Sequence, residues 1–396
     1  MNGTQRVALL LLSMTACFVL GVAALAALEA YQTWAVQPLG PALSVATLPW
    51  SLPPTWTASP PAGVIPAALG TPDAGSVSLL TPIPTGLAPT PAAPAYAPRC
   101  GGPPVLNLLA VGSDQRSNSY VYGLGDVIRI VRVDFIIPKV TVLEFPRDLW
   151  VEIPDISDNL NGQDHEKLNQ AYLYGNRGFG YTNDPTQGPG LLARTLALNF
   201  GVRLDHYVAV NMRTFVNVVN AVGGIDIRLA RGVDGRTSDD RSKRLVFPRG
   251  LNHLNGDQAL TLARIRNEGV FSRADNQDLV MCALREKLTR PGVVTEIPQL
   301  IASFQDNIQT DLSPAQIAQL ACLGPQIQPQ NIVFASFPQQ YFKMARIYDP
   351  VFKKKVFIWD VDFDVLRDYV ARFESGLWPP PGLPGPSTGE SPIVCQ

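Results

Sequence analysis

The chain opens on an unbroken apolar run. From Val7 to Leu28 no residue carries a charge, and Arg6 stands just before it. The 22 residues of this run are enough to cross a hydrocarbon core as one helix, which takes ~20. A retained signal-anchor is the favoured reading, because the run stays apolar to its end. A cleaved signal peptide is the second, with Ala24-Leu25-Ala26 resembling a cleavage site. A lipoprotein at Cys17 is the weakest, since Met14-Thr15-Ala16-Cys17 is a poor lipobox inside the apolar run. All three place the remainder outside the cytoplasm, and Arg6 on the short side agrees with positive-inside topology.

Further along, the apolar period alternates between that of strands and that of helices. Val105–Val111 reads as a short apolar strand ending at Gly112. Val127–Val133, VIRIVRV, reads as a half-buried strand with Arg129 and Arg132 on one face. Val140–Phe145 follows Pro138 as a third strand. Helices are expected at Leu191–Phe200, Phe215–Val222, Gly256–Arg264, Asp275–Leu288 and Ser313–Leu323, the last with Ser313 as N-cap before Pro314. Strands are expected at Tyr207–Val210, Ile225–Leu229, Ile332–Phe337 and Val356–Val361. This mixture predicts a layered α/β domain around a mixed sheet.

Composition divides the chain. Between Tyr31 and Ala97 it is rich in Pro, Ala, Thr and Ser and has no Lys or Arg. Such a stretch favours extended, polyproline-like backbone over a packed core. The expected organisation is a cytoplasmic stub and transmembrane anchor at 1–30, a Pro/Ala-rich extracytoplasmic linker at 31–99, a catalytic domain at 100–290, a C-terminal extension packed on it at 291–377, and a Pro-rich tail at 378–396.

The net charge of −1 gives no global pull toward nucleic acid or anionic lipid, and no nucleic-acid partner is expected. The cations are 24 Arg and 8 Lys. Arginine grips phosphate with a planar fork, but a GC-rich genome also favours it, so position has to decide. Cys100, Cys282, Cys322 and Cys395 would face an oxidising compartment. Cys282–Cys322 with Cys100–Cys395 is the favoured pairing, and buried free thiols are the alternative. Zinc-type spacing is absent, as are a nucleotide-binding Walker loop, a dinucleotide turn and a serine-hydrolase elbow.

Three clusters carry candidate chemistry. Asp114, just past the first strand, and Asp126, just before the second, share one sheet edge if those strands are neighbours. Two carboxylates plus phosphate oxygens suit Mg²⁺, although both residues also make ordinary loop or capping groups. Arg147, in Glu144-Phe145-Pro146-Arg147-Asp148, leaves the third strand at a Pro turn; the bland alternative is a surface pair with Asp148. Arg264 and Arg266 point in related directions only if the chain leaves helical geometry between them. Arg273 and Gln277 share a helix face. Together these groups would clamp a diphosphate, whereas singly they read as a solvated basic face. His165, in a polar loop, reads as solvated more readily than as a general base.

In this order the segments LNLLAVGSDQR, GDVIRIVRVDFIIPKVTVLEFPRDLWVEIP, KLNQAYLYG, LDHYVAVNMRTFVNVVNAVGGIDIRL, HLNGDQALTLARIR and FSRADNQ resemble the LytR–CpsA–Psr family of cell-wall assembly proteins. The resemblance implies a three-layer α-β-α domain with a central mixed sheet behind a single N-terminal transmembrane helix. It implies transfer of a glycopolymer from a polyprenyl-phosphate or diphosphate carrier to a peptidoglycan sugar hydroxyl at the cell membrane, with Mg²⁺ as cofactor. It assigns Asp114 and Asp126 to metal and catalysis, and Arg147, Arg264 and Arg266 to catalysis. Arg116, Arg129, Lys167, Asn169, Arg273 and Gln277 would bind the diphosphate. Val208, Val210, Phe215 and Val219 line a lipid groove or are plain core. Two departures concern substrate identity: Val270 stands where an acidic residue is common, and Asn276 where a second arginine is common. A non-catalytic carrier-lipid-binding regulator and a prenyl-pyrophosphatase are the alternatives.

Overall fold

The computed structural model describes residues 29, 35–43, 97–115, 123–157, 162–266, 270–290, 308–380 and 395. Among them no helix is long and apolar enough to cross a membrane, and the run Val7–Leu28 lies outside the described residues.

After a 3-10 turn at Arg99–Gly101 come the strands β1 (Val105–Ser113), β2 (Gly125–Asp134), β3 (Lys139–Glu144), β4 (Trp150–Glu152) and β5 (His165–Lys167). Helices α1 (Leu168–Tyr174) and α2 (Gln187–Phe200) follow, then β6 (His206–Asn211), α3 (Met212–Ala221), β7 (Ile225–Leu229), β8 (Val233–Asp234), β9 (Val246–Phe247) and β10 (Gly250–Leu254). The remainder comprises α4 (Gly256–Arg264), α5 (Val270–Leu288), β11 (Ile308–Thr310), α6 (Pro314–Leu323), β12 (Ile332–Ser336), β13 (Lys343–Asp349), β14 (Lys354–Asp360) and α7 (Phe363–Glu374). Helix starts follow the sequence signals. Asn255 with Gln258, and Ser313 with Gln316, form reciprocal capping boxes, and Pro314 occupies the first turn of α6.

The central sheet runs β11-β6-β1-β2-β3-β12. It is mixed: β1 pairs antiparallel with β2 and parallel with β6, and β12 joins β3 in parallel. Both edge strands come from the chain after residue 290, so that segment completes the sheet itself. On one face Leu109, Val111, Ile128 and Ile130 pack with Leu191, Leu196 and Phe200 of α2 and with Leu366, Val370 and Phe373 of α7. On the other, Leu106, Leu108 and Val133 pack with Ile317 and Leu323 of α6. A smaller core joins α3, α4 and α5 to the antiparallel β7–β10 pair.

Arg129 and Arg132 lie on opposite faces, not on one. Side chains alternate along a strand, so positions three apart diverge. Arg132 reaches the Glu374 carbonyl at the end of α7, whereas Arg129 pairs with Glu144 and with Asp278 of α5. The disulfides also differ from expectation: they are Cys100–Cys322 and Cys282–Cys395. Helix α6 packs on the Arg99–Gly101 turn, which brings Cys322 to Cys100. Cys282 faces the α6-side core, where Cys395 is buried.

The early Pro-rich stretch is not wholly a spacer. The Leu39 amide donates to the Leu312 carbonyl, the Leu43 amide to Asp311, and the Tyr207 hydroxyl to the Pro41 carbonyl. A Cβ on Gly40 would lie 2.6 Å from the Thr310 carbonyl oxygen, so only glycine lets the backbones approach this closely. Leu39 and Leu43 pack against the two faces' cores.

Candidate phosphate site

The antiparallel pairing of β1 and β2 places Asp114 and Asp126 at the same end of the sheet, as the two-strand reading requires. Both their amides donate to the Leu124 carbonyl, and the Leu124 amide donates to Asp114 Oδ1 at 2.7 Å. The β3 register ends at Glu144, and after Pro146 the chain turns Arg147 onto the Asp126 carboxylate. Arg147 Nε also lies 3.3 Å from Asp148 Oδ2, and Lys167 Nζ lies 2.7 Å from Asp148 Oδ1. Asp148, read from sequence only as a surface partner, is buried and joins two candidate cations. The Pro146-Arg147-Asp148 triplet was the only signal for it.

Helix α4 ends at Arg264, and Ile265 is extended (φ −65°, ψ 135°). The condition for Arg264 and Arg266 to point in related directions is therefore met. Arg266 Nη2 approaches Asp126 Oδ2 at 3.8 Å. Arg273 of α5 is buried and donates to the Asp126 carbonyl at 3.3 Å, and its Nε has no hydrogen-bond partner.

The electrostatics follow from this crowding. Burial, then the charge of Arg147, push the Arg266 guanidinium below its ordinary value. Burial, then Arg266, do the same to Arg273. Burial opposes the Arg147 charge too, but Asp126 and Asp148 outweigh it and hold that guanidinium above its ordinary value. All remain protonated at neutral pH, because arginine does not titrate there. The result is a knot of cations that repel one another, only partly neutralised by Asp126 and Asp148. An added anion relieves this repulsion.

Other candidates have different roles. Arg129 is buried and engaged by Glu144 at 2.7 Å, Asp278 at 2.7 Å and Gln277 at 3.3 Å. Its charge is consumed inside the fold, so it braces β2 and β3 against α5 and is not available to a diphosphate. Gln277 donates to the Ala263 carbonyl at 3.2 Å and thereby fixes the end of α4 that presents Arg264. Asn169 is buried; its amide donates to the Arg147 carbonyl at 3.1 Å, and its Oδ1 has no partner. Arg116 lies outside the described residues. His165, two residues before Lys167 on β5, pairs with its neighbour Asp164 at 2.6 Å. The proposed groove residues divide between two cores: Val219 and Phe215 belong to the α3–α5 cluster and Val208 to the α6 side.

The LytR_cpsA_psr family model matches residues 103–357. Curated relatives include the polyisoprenyl-teichoic acid–peptidoglycan teichoic acid transferase TagV of Bacillus subtilis, 28% identical over 210 residues, 52% of this chain and 50% of that protein. The regulatory protein MsrR of Staphylococcus aureus is 27% identical over 218 residues, 54% of this chain and 58% of that protein. The chain thus spans little more than half the length of these relatives. Among solved structures, B. subtilis TagV superimposes with a TM-score of 0.52 at 21% identity, covering 69% of this chain and 97% of that one. A structure of TagT bound to LIIa-WTA gives 0.50 at 18% identity, covering 69% and 91%. At these identities the superpositions establish the fold.

Proposed function

The chain belongs to the LytR–CpsA–Psr family, and from that premise we propose that it transfers a glycopolymer from a polyprenyl-phosphate or diphosphate carrier to a peptidoglycan sugar hydroxyl. The observation that carries this reading is the convergence of Arg147, Arg266 and Arg273 on Asp126. Surplus positive charge gathered around one carboxylate is what a diphosphate requires. It is also what a leaving lipid phosphate requires as its charge builds. TagV, named as such a transferase, supports the substrate class.

The acceptor hydroxyl attacks the sugar-linked phosphorus, and the bond to the lipid phosphate breaks. The departing phosphate is held by Arg147, Arg266 and Arg273, with Arg264 beside them. The acceptor's proton would pass to Asp114 or Asp126, whichever is not engaged as a metal ligand, since one carboxylate cannot easily do both jobs. Lys167, fixed by Asp148, orients the non-bridging oxygens. Asp114 and Asp126 offer two hard oxygen donors at one sheet end, a set that fits Mg²⁺ retaining its waters and taking substrate oxygens. Bound there, the ion supplies Lewis-acid neutralisation of the phosphate. The apolar run at 7–28 is the membrane anchor in this reading and keeps the domain beside a membrane-confined carrier.

A non-turnover regulator is the second reading. It is favoured by Asn276, buried on α5 where a second arginine is common in the family, and by the name of MsrR. The deciding assay supplies the full-length chain with a polyprenyl-diphosphate-linked glycan, a peptidoglycan acceptor and Mg²⁺. Transfer is expected, and Arg266→Ala should lower kcat by about 10²–10³-fold. Asp126→Ala should do at least as much, since it also releases Arg147. Carrier binding without transfer to any acceptor would establish the regulator instead.

A further inference from the structure

The β13–β14 hairpin and its turn are unlike the rest of the surface. Four of the chain's eight lysines, Lys343, Lys353, Lys354 and Lys355, lie between residues 343 and 355, together with Arg346. The only carboxylate in that span, Asp349, is buried. None of the five cations makes an ion pair among the described residues; Lys354 Nζ rests 5.6 Å over the Phe352 ring. Among these charges stand Met344 at 79% exposure, Tyr348 at 57% and Phe352 at 47%.

The hairpin register explains how they are presented. Met344, Arg346 and Tyr348 oppose Trp359, Phe357 and Lys355, so all six belong to one face. Asp349 and Ile358 belong to the opposite face and are buried; Lys343 and Lys354 share that face's register but are exposed, and Lys353 stands in the turn. The exposed face is continuous with the phosphate site. Leu149 bridges Trp359, whose amide donates to the Asp148 carbonyl at 3.1 Å. Lys167 Nζ stands 6.0 Å from the Phe357 ring.

We propose that the β13–β14 hairpin docks on the anionic headgroups of a lipid bilayer and holds the arginine cluster against the membrane surface. Lysines supply attraction to the negative surface, and Met344, Tyr348 and Phe352 enter the headgroup boundary. A soluble polyanion would need the charge but has no use for the exposed apolar side chains. A second copy of the chain would set five cations against five. The role assigned to this docking, delivery of the site to a carrier lipid's phosphate, rests on the proposed transferase reading; the docking itself does not.

The test uses the full-length chain reconstituted in nanodiscs of phosphatidylcholine, alone or mixed with phosphatidylglycerol, and reads hydrogen exchange across residues 343–355. Protection is expected only in the anionic discs. The combined substitutions Lys353→Gln, Lys354→Gln and Lys355→Gln should reduce it roughly tenfold or more, and Met344→Ser with Tyr348→Ser should also weaken it. Equal exchange in both lipids overturns the proposal. So does equal protection by soluble polyphosphate that is indifferent to Met344 and Tyr348. Transfer from a detergent-solubilised carrier is measured in parallel and should be unchanged in the hairpin variants. If wild type protects its hairpin but never transfers, the transferase reading fails and the docking stands.

Discussion

Glu166 shows how far one side chain can depend on contacts remote in sequence. It sits on β5 beside Lys167, wholly buried, and neither carboxylate oxygen finds a donor. Its neighbour is Asp349 from β13, whose Oδ2 is equally unpartnered. Two buried carboxyls satisfy each other only when one holds a proton. Burial first, then the Asp349 charge, push Glu166 up to about 8. The unfolded chain ionises this group near its ordinary value, so the native state binds the extra proton between those limits. Stability therefore falls as pH rises from about 4.5 to about 8 and then levels off. Glu166→Gln should flatten that slope and raise stability at pH 7 by roughly 1–3 kcal/mol, measurable by denaturant unfolding across the pH range. An unchanged slope would refute the shared proton. Arg129 gives the same lesson: its chemistry resembles that of a phosphate ligand, but three internal partners consume it.

Between elements, the lock of β11 onto β6 governs how the early chain joins the domain. Buried Asp311 accepts from the Tyr207 amide at 2.8 Å and the Leu43 amide at 3.1 Å, and lies 3.3 Å from His206 Nδ1. The hydrogen bond to Asp311 raises the His206 imidazolium above its ordinary value despite partial burial. That contribution is fully present below the unfolded histidine value, near 6.5, and is lost as pH climbs through the higher folded one. Asp311→Asn should remove this alkaline loss and cost about 1–3 kcal/mol at acid pH, as for a hydrogen bond to a charged group. Hydrogen exchange at the Leu39 and Leu43 amides should accelerate with it. Unaltered exchange there would mean that Asp311 does not hold the 39–43 segment. Local pattern had revealed β6 and the Ser313 cap, but not that Leu39–Leu43 docks, because a Pro- and Ala-rich sequence shows no period that announces a binding partner.

For the molecule as a whole, the arginine knot implies a net electrostatic cost in the unliganded state. A diphosphate binding only the folded protein adds RT ln(1 + [L]/Kd), about 2.7 kcal/mol at a hundredfold excess over Kd. Inorganic pyrophosphate should accordingly raise Tm, less so at high salt, and Arg147→Ala should diminish the rise. A Tm indifferent to pyrophosphate would count against an anion site.

The sequence by itself determined the elements and their ends. Alternation, caps and Pro positions are local forces, and β1, β2, β3, α4 and α6 lie close to where they were expected. It also brought forward Asp114, Asp126, Arg147, Arg264, Arg266 and Arg273 as candidates, because ordered motifs are legible without knowledge of contacts. Tertiary structure alone decided which cysteines join, that the chain after residue 290 supplies both sheet edges, and which cations remain available to a ligand. Those outcomes depend on the meeting of side chains hundreds of residues apart, as with Cys100 and Cys322, separated by 222 positions. The opposite faces of Arg129 and Arg132 were within reach of strand parity, yet their separate fates, one braced by Asp278 and one by the end of α7, were set by the helices packed on either side.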